Sequence, residues 1–305
     1  GIDVGMRNSV RPVFAGLAAA MASLAPCLAS ASGVAPADLS SLSIEELGNV
    51  QVTSVSKRAE PVAQAASAIY VITHDDIVRS GATRIPEILR LAPNLQVARI
   101  GADQYAISAR GLNGNPALQN FSDKLLVMID GRSVYTPIFS GVYWDMQDVL
   151  PEDIERIEVI SGPGATLWGA NAVNGVINII TRNAADTQGG FAQVGVGDRQ
   201  RSGSLRYGGR IGGDISYRVY ARAYVDDDLS TPAGAPVRNH LTQPQIGFRL
   251  DWTPSAADAV TLQGDAYDGH EVQAVIAPED ISGRNLTARW SHTWAGGSTL
   301  QVQAY

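Results

Sequence analysis

The chain has 305 residues, of which 45% are hydrophobic and 17% charged, so it is too apolar for a disordered chain and has enough apolar residues for a folded core. Its formal net charge of −7 excludes the basic surface that general nucleic-acid binding needs, and no nucleic-acid partner is expected. The one cysteine is Cys27, near the N-terminus.

Residues 1–31 have the features of a secretory signal peptide. Two arginines precede a short apolar stretch, residues 13–24, and an Ala-Ser-Ala tripeptide at residues 29–31 fits a small-residue cleavage site. The apolar stretch is too short to stay in a bilayer as a spanning helix. We therefore expect an exported protein that is cleaved near Ala31. Cleavage there removes Cys27 and with it disulfides, thiolate metal ligands and cysteine nucleophiles.

Residues 32–60 are rich in Ala and Ser and predict a flexible leader. Inside it, residues 50–56 read VQVTSVS, in which apolar and polar side chains alternate. A period of two is typical of a strand, so the leader contains one strand-capable segment.

Residues 61–182 have the mixed pattern of a compact α+β domain. Ile69–Ile72 predicts a strand, and the Thr-His-Asp-Asp that follows predicts a capped helix that ends at Gly81. A second helix is predicted from Arg84 to Leu91, with a proline in its first turn. Further predictions are strands at Leu95–Arg99, Tyr105–Arg110, Lys124–Ile129, Ile157–Ile160 and Val176–Thr181, a turn at Asp130-Gly131, and a helical turn at Pro151–Arg156.

From residue 190 to residue 305, short alternating strands separated by polar, Gly-rich turns replace this mixed pattern. In Ser216–Val225 and Ile246–Thr253 one face is apolar and the other polar, and about seven such strands are predicted. A soluble β-sandwich and a membrane β-barrel both use this alternation. Arg and Asp at mid-strand, with Trp or Tyr at the ends of several apolar faces, favour the barrel.

Several separated motifs agree with one family. Residues 153–182 read DIERIEVISGPGATLWGANAVNGVINIITR, and upstream come ITHDDIVRSGATRIPEILRLAPNLQV, ISARGLNG and KLLVMIDGRSVY, in that order. This series resembles the plug domain of TonB-dependent outer-membrane receptors, with departures at Ala165, Trp168 and Asn174. The resemblance implies an α+β plug domain followed by antiparallel transmembrane β-barrel strands. We recognise no closing strand and expect an incomplete barrel in a fragment of a longer receptor.

The resemblance also implies a function and partners. Members of the family actively import scarce, bulky ligands across the outer membrane of Gram-negative cells, using energy from the inner-membrane TonB complex. We expect a ferric siderophore or cobalamin as ligand, with haem as a further class, contact with outer-membrane lipid, and no cofactor. The candidate TonB-contact segment consists of Val50, Gln51, Val52, Thr53, Ser54, Val55 and Ser56. It would pair by strand addition, and the alternative is a plain linker.

Two loops, residues 111–122 and 135–144, are expected to form the ligand-facing apices of the plug. Both follow a predicted strand and are rich in Gly, Asn or Ser, and the second is also rich in aromatic residues. The candidate ligand contacts are Asn113, Asn115, Tyr135, Phe139 and Tyr143. Aromatic side chains on a loop suit a flat or hydrophobic chelate, but they equally suit packing against the barrel wall, which is the preferred interpretation for Trp144.

Charges and glycines are the other candidate features of the plug. The candidates for ion pairs between plug and barrel are Arg110, Glu155, Arg156, Glu158 and Arg182. The alternative, given equal weight, is that these charges are solvated on the plug surface. The glycines of residues 162–175 are expected to allow tight turns and a close approach of the plug backbone to the barrel wall.

The sequence favours no enzyme and no metal site. The histidines at 74, 240, 270 and 292 have no metal-ligand spacing, and His240 and His270 are predicted to lie in loops. No G-x-S-x-G occurs, and Gly162-Pro163-Gly164 precedes a strand where a dinucleotide loop precedes a helix. Two other classes remain as alternatives: a passive porin, which the plug argues against, and a secreted or periplasmic binding module whose strands form a sandwich.

Overall fold

The computed structural model describes residues 51–52, 60–61, 68–99, 104–109, 125–136, 141–162, 168–169, 171–237, 239–272 and 278–305. The predicted signal peptide lies outside these residues, as does most of the leader. The chain divides into two compact units with the boundary between Asn183 and Ala184. We call them the α+β unit and the sheet unit. Among the described residues, no helix has the length and apolarity needed to cross a membrane.

The α+β unit is built on a five-stranded sheet with the order β3-β8-β9-β6-β7, in which only β6 and β9 run parallel. Its strands are β3 (Ala68–Thr73), β6 (Leu125–Ile129), β7 (Arg132–Ser133), β8 (Ile154–Ser161) and β9 (Gly175–Thr181). A hairpin of β4 (Leu95–Arg99) and β5 (Tyr105–Ala109) and a short pair of β1 (Gln51–Val52) and β2 (Glu60–Pro61) are separate from this sheet.

The two predicted helices are present. Helix α1 (His74–Ser80) begins with a capping box, because Thr73 Oγ1 accepts from the Asp76 N–H at 3.2 Å while Asp76 Oδ2 accepts from the Thr73 N–H at 3.0 Å. It ends at Gly81, whose φ of 66° is left-handed. Helix α2 (Ile85–Ile88) is shorter than predicted and continues as a 3-10 turn, Leu89–Leu91.

The predicted helical turn at Pro151–Arg156 is wrong in its second half. Only Pro151–Asp153 forms a 3-10 turn, and β8 begins at Ile154. The reason is tertiary, since β8 lies between β3 and β9 and pairs with both along most of its length. Pairing on both sides favours the extended backbone over the local helical preference.

The core of the α+β unit lies between one face of its sheet and the two helices. Ile157, Ile177 and Ile179 on the sheet pack in one cluster with Ile77 of α1 and Ile85 of α2, and all are at most 1% exposed. Burial of each such side chain contributes about 1.5–3 kcal/mol, which is why these short helices form at all. A second, smaller cluster on the other face contains Leu126, Met128, Ile160 and Val176.

The sheet unit is one antiparallel sheet of seven strands with the order β10-β11-β12-β15-β16-β17-β18, which confirms the predicted number. The strands are β10 (Gly189–Val196), β11 (Gln200–Ile211), β12 (Ile215–Asp226), β15 (His240–Trp252), β16 (Asp258–Val272), β17 (Glu279–Thr293) and β18 (Thr299–Ala304). A small hairpin of β13 (Leu229–Ser230) and β14 (Pro236–Val237) occupies the connection from β12 to β15. The strands form one layer, so the sandwich alternative is not supported.

Candidate functional site

The sheet unit exposes its apolar face. Register joins Val219, Phe248, Gly264 and Leu286 in one row across four strands, and the three large side chains of this row are 38–56% exposed. A soluble sheet would bury such a face against a second layer. Lipid is the environment in which an exposed apolar face that continues across four strands is stable.

The other face of the same sheet is polar and buried. On β15, Ile246 is 61% exposed whereas Arg249, on the opposite face, is 6% exposed. Other buried polar residues on that face are Arg218, Arg222, Gln243, Gln245, Glu271 and Thr287. This pattern, apolar outside and polar inside, is that of a barrel wall and the reverse of a soluble sheet.

Tryptophans mark one end of the exposed face. Trp252 is the last residue of β15, and the register connects it through Val260 to Trp290. The indole Nε1 of Trp252 donates to Asp214 Oδ2 at 2.8 Å, and that of Trp290 donates to Asp258 Oδ1 at 3.1 Å. Half-exposed indoles with satisfied N–H groups are typical of a membrane–water interface, as the sequence predicted.

The start of the sheet unit is tied to the polar face. The 3-10 turn Ala184–Asp186 precedes β10, and the Ala184 N–H donates to Asp251 Oδ2 at 2.7 Å. Asp251 also accepts from Arg249 Nε and from Thr261 Oγ1, each at 2.8 Å. One carboxylate therefore links the turn, β15 and β16, and fixes where the first strand of the sheet begins.

The candidate TonB-contact segment is only partly described. Gln51 and Val52 form β1, which pairs antiparallel with Pro61 and Glu60 of β2. Val50 and residues 53–56 lie outside the described residues. The extended backbone of β1 agrees with the strand-capable pattern, and the contact with TonB stays a prediction.

The predicted ligand-facing residues are divided between described and undescribed positions. Asn113, Asn115 and Phe139 lie outside the described residues. Tyr135 is 9% exposed and packs in the second apolar cluster of the α+β unit, whereas the predicted alternative to ligand contact was packing against a barrel wall. Tyr143 is partly exposed, and Trp144 is buried in the main core of the α+β unit itself.

Three of the predicted plug–barrel charges form a cluster within the α+β unit. Arg156 Nε donates to Glu158 Oε1 at 2.8 Å, and Arg156 Nη1 also binds Glu155. Glu158 is fully buried. The Arg182 backbone N–H donates to Asp153 O at 2.8 Å, and Arg110 lies outside the described residues. Pairing of these charges with a barrel wall stays a prediction.

A buried ion pair near the start of α2 was missed from the sequence. Arg84, the N-cap residue, is 1% exposed and donates from Nη2 to Trp144 O at 3.3 Å. Its Nε lies 3.8 Å from Asp148 Oδ2, and Asp148 Oδ1 accepts from the Ile85 N–H at 3.4 Å. The pair connects α2 to residues 141–150, which carry Tyr143. No local sequence pattern predicts it, because the partners are far apart in the chain.

A second missed cluster joins α2 to the β4–β5 hairpin. Tyr105 of β5 donates its hydroxyl to Glu87 Oε1 at 2.6 Å, and Arg90 Nε donates to Glu87 Oε2 at 2.6 Å. Burial raises the pKa of Glu87, but these two hydrogen bonds and the positive charges of Arg90 and Arg99 together outweigh it and hold the pKa below its ordinary value. Burial, with the hydrogen bond to Glu87 second, raises the pKa of the Tyr105 hydroxyl well above its ordinary range.

Gly175 has a different neighbour from the predicted one. A Cβ on Gly175 would collide with the carbonyl oxygen of Ile160 on β8, so the close approach is within the sheet of the α+β unit and not to a barrel wall. Gly162 and Gly169 have positive φ angles of 111° and 90°, which confirms the predicted tight turns. The predicted loop positions of His240 and His270 are wrong, because His240 begins β15 and His270 lies in β16.

These features define the class of the protein: a plug-type α+β domain followed by antiparallel strands of a barrel wall. Residues 61–176 match the family described as the TonB-dependent Receptor Plug Domain. Over these residues the chain is similar to the plug domain of TonB-dependent receptors.

Curated relatives agree with this assignment. The chain is 28% identical over 157 residues to a vitamin B12 transporter of Vibrio vulnificus, covering 50% of this chain and 24% of that protein. It is 30% identical over 269 residues to an iron-regulated outer membrane virulence protein of Vibrio cholerae, covering 80% of this chain and 40% of that protein. The chain therefore spans less than half the length of these curated relatives.

A solved structure has the same fold. The ferripyoverdine receptor of the outer membrane of Pseudomonas aeruginosa superimposes with a TM-score of 0.66 over 83% of this chain and 35% of that receptor, at 16% identity.

Proposed function

We propose that this chain supplies the plug and the first barrel strands of a receptor that imports a scarce, bulky ligand through the outer membrane. The observation that carries the proposal is the inverted burial of the sheet unit, in which Ile246 is exposed and Arg249 is buried on one strand. A soluble binding module has no use for that arrangement. The plug-type unit, in turn, argues for gated import over passive diffusion.

Cobalamin and a ferric siderophore are the proposed ligands. The relatives named above include a vitamin B12 transporter and an iron-regulated outer membrane protein, and a receptor of the same fold binds ferripyoverdine. Haem is the further candidate. Growth of a strain lacking the receptor on cobalamin or on a single ferric siderophore as the only source distinguishes these ligands. Unimpaired growth on every one of them would contradict import of this class.

Energy is proposed to come from TonB through residues 50–56, after removal of the signal peptide near Ala31. The support is the alternation of this segment and the extended backbone of Gln51 and Val52. Strand addition draws its affinity from backbone hydrogen bonds, so it makes little demand on side chains. An exported precursor and an outer-membrane location follow from the same proposal.

Deletion of Gln51–Ser56 in the full-length receptor tests the coupling to TonB. We expect uptake to be abolished and ligand binding at the cell surface to be unchanged. A matched control removes an equally long stretch of the leader, residues 35–40, and should leave uptake intact. Normal uptake after deletion of residues 51–56 would contradict the assignment of this segment as the TonB contact.

Ligand contact is proposed for Asn113, Asn115, Tyr135, Phe139 and Tyr143. Tyr135 is nearly buried, so truncating it tests packing as well as contact. Tyr143→Ala is the cleaner variant because its side chain is partly exposed. We expect weaker binding without loss of the fold. If both Tyr143→Ala and Phe139→Ala bind the ligand with wild-type affinity, these aromatic side chains do not contact the ligand and serve only in packing.

A further inference from the structure

Two histidine–aspartate pairs lie side by side at one end of the sheet unit. His240, the first residue of β15, places Nδ1 3.2 Å from Asp228 Oδ1, and His270 of β16 places Nδ1 2.7 Å from Asp280 Oδ1. The register pairs Thr242 with His270, so the two histidines are diagonal neighbours on adjacent strands. Their ring centroids are 6.5 Å apart. This end carries the longest connection of the sheet, residues 227–239, and is opposite to the tryptophans.

Each carboxylate fixes which ring nitrogen can bind a ligand. A carboxylate only accepts, so Nδ1 of each ring carries the proton and donates it. In a neutral imidazole, Nε2 then holds the lone pair that binds metals. A carboxylate at Nδ1 is the arrangement that fixes the tautomer and orientation of metal-ligating histidines in proteins.

The carboxylates flank the two rings on opposite sides. Asp228 lies in the connection that precedes β15, whereas Asp280 lies on β17, beyond β16. Nδ1 and Nε2 are separated by Cε1 and their in-plane directions diverge, so a hydrogen bond from Nδ1 to the outer carboxylate leaves Nε2 on the side of the ring away from that carboxylate, where the other ring lies. Two metal–nitrogen bonds of about 2 Å each span about 4 Å, a distance that ring centroids 6.5 Å apart can accommodate between them.

We propose that His240 and His270 bind a late first-row divalent cation, of the class of Zn²⁺, Ni²⁺ and Cu²⁺, through their two Nε2 atoms. Imidazole is the protein ligand that suits these metals in common. Asp228 and Asp280 act as positioning residues, and water completes the coordination. No group of three or more His, Cys, Asp and Glu side chains is arranged for a metal ion in the part of the chain that the structure describes. With two protein ligands and water in the other positions, we expect the bound cation to exchange readily.

The site is accessible from solvent. The side chains of His240 and His270 are 42% and 52% exposed, so a cation can reach both rings without movement of the sheet. Because both rings are exposed, we expect substitution of either one to have little effect on the fold. The sequence alone gave no sign of the site, because the two histidines are on different strands and have no ligand spacing along the chain.

Titration of the full-length receptor in detergent with Cu²⁺, followed by electron paramagnetic resonance, tests the proposal. We expect one bound Cu²⁺ with two coordinated imidazole nitrogens. His240→Ala and His270→Ala should each remove one nitrogen and weaken binding at least about tenfold. Asp228→Asn and Asp280→Asn keep both rings and should weaken binding by about 10–100-fold, because a neutral amide is a weaker acceptor for Nδ1–H than a carboxylate and its NH2 group can face Nδ1 and reverse the tautomer.

His292→Ala is the matched control. His292 belongs to the same sheet and places Nδ1 2.8 Å from Asp258 Oδ1, but its ring neighbours are Trp290 and Trp294. Its removal should leave the two-nitrogen Cu²⁺ signal unchanged. The proposal is overturned if the wild-type receptor lacks that signal, if the His240→Ala/His270→Ala double variant retains it, or if His292→Ala abolishes it. Should the alanine variants not fold, unchanged affinity in both asparagine variants overturns it equally.

Discussion

The α+β unit and the sheet unit select opposite kinds of side chain for burial. In the α+β unit, isoleucines such as Ile157 and Ile177 are fully buried between the sheet and two helices. In the sheet unit, Ile246 faces outward and Arg249 is buried. The same residue type is thus internal in one unit and external in the other. The difference shows that the hydrophobic pattern specifies which side chains share one face of an element. Whether other protein elements or lipid cover that face depends on the surroundings of the element.

The two units also use polar groups differently. The α+β unit buries charged side chains at separate points of its fold, as with Arg84 at the start of α2. The sheet unit collects polar side chains along one whole face and joins them across strands, as Asp251 joins Arg249, Thr261 and the Ala184 backbone. A water-accessible lumen can accommodate such a face. In a dry core, the desolvation of each unpaired polar group would destabilise the fold by several kcal/mol.

The largest expected effect comes from making one substitution in both units. Ile177→Ala removes a fully buried side chain next to a close-packed cluster and should cost about 2–5 kcal/mol in the free energy of unfolding. Ile246→Ala, on the exposed face, should cost clearly less because little cavity is left. Urea unfolding of the full-length receptor in detergent, with hydrogen exchange to locate the change, compares the two. Equal losses in the free energy of unfolding for Ile177→Ala and Ile246→Ala would contradict the view that isoleucine is internal in one unit and external in the other.

A charge on the exposed face should be costly only in a membrane. Ile246→Arg lies in mid-strand and should destabilise the bilayer-inserted receptor by about 2–4 kcal/mol. Val196→Arg, at the last residue of β10 and 81% exposed, is the matched control near the rim and should cost about 0–1 kcal/mol. In a soluble protein both would be within about 0.5 kcal/mol of neutral. Unfolding from lipid vesicles measures the difference, and two neutral variants would contradict the membrane-facing assignment.

Backbone packing in the α+β unit gives a smaller effect. Gly175→Ala would place a methyl group against the Ile160 carbonyl oxygen, where β8 and β9 pair. We expect overpacking to cost about 1–3 kcal/mol, measured as a lower unfolding temperature. Gly190→Ala, at a position of β10 with open space around a Cβ, is the control and should change little. A fully stable Gly175→Ala variant would mean that the two strands separate easily.

Local signals predicted much of this fold, and long-range contacts explain the rest. The capping box at Thr73, the αL residue Gly81 and the alternation of Ser216–Val225 are properties of short windows, and each appears as predicted. The start of β8 at Ile154 was missed because its pairing partners lie elsewhere in the chain.

The candidate site was less predictable than the fold. The ion pair of Arg84 with Asp148 and the pair of His240 with His270 each join residues that only the folded chain brings together. Spacing rules work when ligands share one helix or one turn, and they fail when the partners lie on different elements. The aromatic loop was ambiguous for the same reason, since Tyr135 packs against strands whose position no local pattern gives.

The smallest expected effect is a pH dependence confined to the α+β unit. The pKa of Glu87 is held below its ordinary value of 4.5, so its hydrogen bonds stabilise the folded state above that pH, and this contribution is lost as the pH falls through the lower, folded-state pKa. Since the side chains of Glu87 and Arg90 are partly exposed, we expect this contribution to the free energy of unfolding to be less than about 1 kcal/mol.

Hydrogen exchange of the β4–β5 hairpin between pH 3 and pH 7 should show opening of the hairpin at the acid end. Glu87→Gln should flatten that profile, whereas Glu279→Gln, an exposed carboxylate in the sheet unit, should not alter it. An acid-sensitive hairpin in Glu87→Gln would show that another group controls the contact of α2 with Tyr105, and the local electrostatic account of this unit would have to be replaced.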